Sequence, residues 1–317
     1  MRTIDGWKVL IPVLVLVGGP GSSMAAQEPG STFEQSMPPG ANFDHADFRL
    51  WLPAGNGAVR GVVVLMPGSN GDGRPETADT VWQSFATQHR LALLGVRLTD
   101  KRHDQGFIEE YVDVGRGSGQ ALLDALTALA ASSRHPELAS APLLLWGMSA
   151  GGEFNYEFTN WKPERVVAFV VNKGGIYYTA LTSRAARSIP GVLFTGGNDL
   201  VSRVSTISGL FALNRRSAAL WALANEPGAA HIVGRSRDFA LIFFGDVLAL
   251  RLPDSTASRA GVAMLPVAPG AGFVGDLKLH TYQPAQGLPA GGESTVWLPT
   301  ERVARAWGAL VTGQPFD

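Results

Sequence analysis

The sequence predicts an α/β domain built on a mostly parallel sheet, and three observations carry that expectation. Continuous apolar runs recur along the chain, each about the length of one strand and without the alternation a solvent-facing strand would show. Segments with apolar residues at helical spacing, or stretches long enough to cross over, separate them. At 317 residues, with 45% hydrophobic and 17% charged positions, the chain has the apolar content for one large domain of this kind or two small ones.

At the start, Arg2 and Lys8 precede an apolar stretch from Val9 to Val17, and Ser23 and Ala25 put small residues where a signal peptidase reads. Residues 1–26 are therefore expected to be a cleaved secretory signal. Pro12 and the short apolar length argue against an uncleaved anchor, and no second span follows. The 0 cysteines exclude disulfides, thiolate metal sites and a cysteine nucleophile, and with the signal they point to a bacterial periplasm or secretion. A formal net charge of -1, from 26 basic and 27 acidic residues and without a basic run, offers no field for nucleic acid.

Residues 27–42 are rich in Gly, Ser and Pro and read as a flexible leader, so the folded domain is expected over 43–252. Asp47 to Gly55, "DFRLWLPAG", alternates polar and apolar residues as an edge strand would. "GVVVLMPG", Gly61 to Gly68, is the first buried strand, and the helical spacing of Thr80 to His89 leads to the next, "LALLGVRL". Gly119 to Ala131 is helical by composition and spacing and precedes "APLLLWG"; "RVVAFVVNKGG", "GVLFTGGND" and "AALWALANEPG" complete the series. Beyond Leu252 the text turns Pro-, Gly- and Ala-rich until a short helix that Thr300 would cap. Residues 253–317 are expected to be an appendage packed on the same domain, with Trp297 and Trp307 turned onto it.

In a parallel sheet, residues just past the carboxyl ends of the strands converge on one crevice. "APLLLWG" runs into Met148, Ser149, Ala150 and Gly151, a G-x-S-x-G that begins at Gly147, stands between strand and helix and is followed by Gly152. A nucleophile projected from so sharp a turn needs neighbours without bulk, and the Ala150 amide would then point at a developing oxyanion. Asp199 closes the strand "GVLFTGGND", and His231 follows the strand in "NEPGAAHIV". A carboxylate that orients an imidazole, which in turn takes a serine proton, requires such a meeting at one sheet edge.

Glu226 and Asp238 rival Asp199, which strand-end placement favours. His103, in "TDKRHDQGF", also follows a buried strand and is the serious rival to His231, but it lies upstream of Ser149. The loop "LMPGSNGDG" offers a second oxyanion donor, first the Ser69 amide and next that of Asn70. Tyr177 and Tyr178, after "NKGG", stand where rings would cover an acyl group, and Asn70 and His103 with their neighbours would line the mouth.

With these residues in this order the chain resembles the α/β-hydrolase superfamily, over about Phe43 to Leu252, and within it secreted esterases of the polyhydroxybutyrate depolymerase and feruloyl esterase type. Many of those relatives carry His-Gly at the oxyanion loop where this chain has Pro67-Gly68. The resemblance implies hydrolysis of a small-molecule or polymeric ester through an acyl-enzyme, with Ser149 as nucleophile, His231 as base, Asp199 as acid and the Ser69 and Ala150 amides as oxyanion hole. It implies no metal and no organic cofactor.

Three other classes fit less well. A dinucleotide-binding turn at "GRGSG", Gly115 to Gly119, has Gln120 where the third glycine belongs and no buried strand before it. Asp44, His45 and Asp47 would not converge on a metal, because an extended segment turns alternate residues to opposite faces. A peptidase or a non-catalytic exported binding protein on the same scaffold stays open, the second opposed by the intact Ser, Asp and His.

Overall fold

The computed structural model describes residues 30–55, 57–105, 108–252 and 264–316. The signal expected over residues 1–26 lies outside them. Strands β1 (Ser31–Met37), β2 (His45–Leu52) and β3 (Gly61–Met66) lead into α1 (Thr80–His89), β4 (Leu91–Thr99), α2 (Ser118–Ser133), β5 (Leu143–Met148) and α3 (Ala150–Trp161). There follow β6 (Val166–Asn172), the one-turn α4 (Arg184–Arg187), β7 (Gly191–Gly196), α5 (Val201–Arg216), β8 (Trp221–Glu226) and α6 (Ser236–Arg251). The C-terminal part adds β9 (Phe273–Asp276), β10 (Tyr282–Pro284), β11 (Thr295–Leu298) and α7 (Glu301–Val311).

The main sheet has 8 strands in the order β1-β2-β4-β3-β5-β6-β7-β8. The β1/β2 and β2/β4 pairs are antiparallel, and every pair from β4 through β3 to β8 is parallel. The apolar runs behave as strands covered on both faces should. Every residue of β3, β6 and β7 is buried. Helices α1 and α6 line one cleft together, with Val81, Phe85, Leu241 and Ile242 among its walls, while α3 and α5 are tied by the bond from Asn214 Nδ2 to Tyr156 Oη. Among the described residues no helix is long and apolar enough to cross a membrane.

Two expectations are corrected. The segment read as a flexible leader contains β1, which pairs with β2 along its whole length, Ser31 with Leu52 through Met37 with Ala46. Phe33 and Met37 pack on the core from one side of that strand, a period of two that the flanking Gly and Pro residues disguised. Asn42 is buried, its side chain donating to the Glu110 and Asp113 carbonyls and accepting from the Ser118 amide. It follows that β2 is not an edge strand.

The tail has a sheet of its own, β10-β9-β11. Trp297 and Trp307 are both buried, and their indole N–H groups donate to the Ala271 and Leu223 carbonyls at 2.9 Å. Since Leu223 belongs to β8, the tail shares the main core. Thr300 Oγ1 accepts from the Val303 amide and caps α7.

Candidate active site

The turn after β5 is built by sterics. Ser149 has φ 53 and ψ -125, a conformation that L residues avoid, and its amide donates to the Asn172 carbonyl at 2.8 Å. A side chain at Gly147 would overlap the Gly151 carbonyl, and one at Gly151 would overlap the carbonyls of Met66 and Pro67. The two glycines therefore let α3 begin against the end of β3. That close approach fixes Ser149 above the sheet edge.

Two further strand ends bring their side chains to the same point. His231 Nε2 lies 3.0 Å from Ser149 Oγ, and His231 Nδ1 lies 3.1 Å from Asp199 Oδ2. Asp199 is almost wholly buried, at 2% side-chain exposure, whereas His231 keeps 33%. Burial pushes the Asp199 carboxyl up, but hydrogen bonds from His231, the Leu200 amide and Arg203 outweigh it and hold the group below its ordinary value. With an ionised carboxylate on Nδ1, the ring proton belongs on Nδ1 and Nε2 is left to accept from the serine hydroxyl.

The rival carboxylates are engaged elsewhere. Asp238 is exposed on α6 and faces Arg237 at 3.5 Å. Glu226 accepts from the buried Lys173 ammonium at 3.0 Å through one oxygen and from the Arg235 amide at 2.8 Å through the other. Lys173 also donates to Asn172 Oδ1 at 3.1 Å, and Asn172 Nδ2 donates to the Val233 carbonyl at 3.0 Å. Together these side chains grip the backbone just after His231.

The loop after β3 passes beside the serine: a Cβ at Gly68 would stand 3.7 Å from Ser149 Cβ. Among the described residues neither the Ser69 nor the Ala150 amide donates to a protein acceptor. Asn70, the other expected donor and a substrate-contact candidate, is occupied: its amide donates to Tyr111 Oη at 3.2 Å and its side-chain oxygen accepts from the Asp100 amide at 2.7 Å. Its φ of 51 is thus held by a buried phenol. Asn70 supports the loop rather than presenting a donor.

His103 does not enter the constellation. It faces Asp100 at 3.4 Å, and both line a cleft of about 410 Å³ with Ser69, Asn70, Arg102 and Glu109. Tyr177 departs from its expected place, because its ring packs edge-on against the buried Tyr156 at 5.0 Å. Tyr178 is the exposed one of the pair, at 47%. The reason lies in α3: Glu153 accepts from the Gly175 and Ile176 amides, and Glu157 accepts from those of Tyr178 and Thr179. These acids, one helical turn apart, pin the loop after β6 and set which tyrosine turns inward. Burial pushes the Glu153 carboxyl up to about 7.

The sequence reading did not single out Lys173, Glu153, Glu157, Tyr111 or Arg203. The spacing of Glu153 and Glu157 on the helix after the elbow was a usable sign, as was the same spacing of Asp199 and Arg203.

A serine on an elbow after β5, with an acid after β7 and a histidine after β8 in that chain order, accompanies the strand order described above. This is the α/β-hydrolase fold. No protein-family model matches the chain, and no curated protein is similar to it. Among solved structures it is similar to LpqC, a poly(3-hydroxybutyrate) depolymerase from Bordetella parapertussis, at 16% identity and TM-score 0.47, over 68% of this chain and 89% of that one. It is also similar to poly(aspartic acid) hydrolase-1 from Sphingomonas sp. KT-1, at 14% identity and TM-score 0.47, over 68% of this chain and 98% of that one.

Proposed function

We propose that this chain is an exported serine hydrolase that cleaves carboxylic esters through an acyl-enzyme. The unbroken line from Ser149 Oγ through the His231 ring to Asp199 Oδ2 carries the reading, with both contacts within hydrogen-bond reach. Ser149 Oγ attacks the ester carbonyl while His231 Nε2 takes its proton. Asp199 stabilises the imidazolium, and the Ser69 and Ala150 amides receive the oxyanion. The imidazolium then protonates the departing alcohol, and a water activated by the same nitrogen hydrolyses the acyl group from Ser149. The chemistry is complete without metal or organic cofactor.

The substrate is a small or polymeric ester. Tyr178, exposed on the loop after β6, and the cleft beside Ser69, which His103 lines, are the candidate contacts. The test is to compare short-chain p-nitrophenyl esters with p-nitroanilides of the same acyl groups, using the purified protein. Esters are expected to turn over well above background and anilides far more slowly. Equal turnover of anilides would make the protein a peptidase, and turnover of neither would make it a binding protein.

A further inference from the structure

We propose that Arg203 is a positioning residue of this site: bound to the Asp199 oxygen that faces away from His231, it fixes the carboxylate and extends activity toward lower pH. The inference rests on the hydrolase reading above. Both Asp199 oxygens are engaged. Oδ2 serves His231, and Oδ1 accepts from the Leu200 amide at 2.7 Å and from the Arg203 guanidinium, one turn along α5. A carboxylate so deeply buried needs both oxygens satisfied, and a charged donor on the outer one opposes its rotation away from the histidine.

The backbone at Gly175 passes beside the Arg203 side chain. A Cβ at Gly175 would stand 3.3 Å from Arg203 Nε and 3.6 Å from Glu153 Oε1, so this glycine leaves room for the guanidinium stem beside the loop that Glu153 pins. The contacts thus close a ring: Ser149 opens α3, Glu153 on α3 holds the loop after β6, Arg203 lies against that loop and on Asp199, and Asp199 returns to Ser149 through His231. The acid is referenced to the nucleophile's own helix by two routes.

The same cation sets the electrostatics. A positive charge on the outer oxygen helps hold the Asp199 carboxyl below its ordinary value, so neutralisation of the carboxylate that orients the base is postponed to lower pH. Other charged groups lie near the pair. Glu153 flanks Arg203 from α3, Lys173 and Glu226 neutralise each other behind the loop after β8, and the Arg235 guanidinium lies 4.0 Å over the Phe316 ring. Arg203 is in direct contact with the acid.

The experiment is the pH profile of kcat/KM for a p-nitrophenyl ester with wild type, Arg203→Met and Arg203→Lys. For Arg203→Met, kcat is expected to fall about tenfold with KM unchanged, and the acid limb to move up by about one pH unit. Arg203→Lys keeps the charge but not the planar fork, and is expected to return the limb most of the way while kcat stays reduced. An unmoved limb in a folded Arg203→Met protein overturns the proposal. If the Met variant fails to fold, a Lys variant at the wild-type limb with lowered kcat supports it, and a Lys variant with undiminished kcat overturns it. An inactive wild type overturns the hydrolase reading and this one with it, whereas an active wild type with an unmoved limb overturns the Arg203 assignment alone.

Discussion

Asp199→Asn is expected to lower kcat for ester hydrolysis by about 10⁴-fold while leaving the protein folded. The side chain keeps its size, and the amide can still meet the Leu200 N–H through its oxygen. Its NH₂, turned to His231 Nδ1 in place of the carboxylate, would donate where the native acid accepts. The ring proton then moves to Nε2, the nitrogen 3.0 Å from Ser149 Oγ, and the base that should accept becomes a donor. The imidazolium also loses the negative charge that stabilises it. Steady-state turnover, with circular dichroism to establish folding, checks the result, and a loss of less than about tenfold would remove Asp199 from its proposed role.

The second large effect falls on stability. Lys173 has 0% side-chain exposure, and its ammonium is shared by Glu226 and Asn172. Lys173→Met would keep most of the buried stem and leave Glu226 as an uncompensated buried carboxylate, a loss of about 3–5 kcal/mol in unfolding free energy. Adding Glu226→Gln to Lys173→Met should recover part of that loss, because the orphaned charge is gone while the acceptor for the Arg235 amide remains. Chemical denaturation of the two variants measures this. A single variant as stable as wild type would show that the pair does not brace the backbone behind His231.

How much of this was legible in the sequence follows from what each residue depends on. Ser149, Asp199 and His231 stand at the ends of buried strands, and a strand end is a local property: apolar run, then Gly or Asn, then the polar residue. Parallel pairing turns that local property into a common edge, so three distant residues could be brought together before any distance was known. The fold class was readable for the same reason.

What escaped depends on partners remote in the chain. Strand β1 is exposed along much of its length and exists because β2 offers an antiparallel edge, which its Gly- and Pro-flanked text does not announce. Tyr177 and Tyr178 are adjacent and chemically alike. Only the amides that Glu153 and Glu157 capture decide which ring packs on Tyr156. Asn70 looked like a free donor because the phenol that binds its amide sits 41 positions away. Lys173 follows a buried strand as an exposed lysine might, and its burial becomes visible only with Glu226 across the sheet.

The most direct test of the central claim, a nucleophilic serine activated by His231, is covalent labelling of the purified protein with a fluorophosphonate, read by intact-mass and peptide mass spectrometry. One adduct on the peptide that carries Ser149, absent from Ser149→Ala and strongly slowed in Asp199→Asn, is the expected result. An unlabelled wild type, or equal labelling of Ser149→Ala, would contradict the claim.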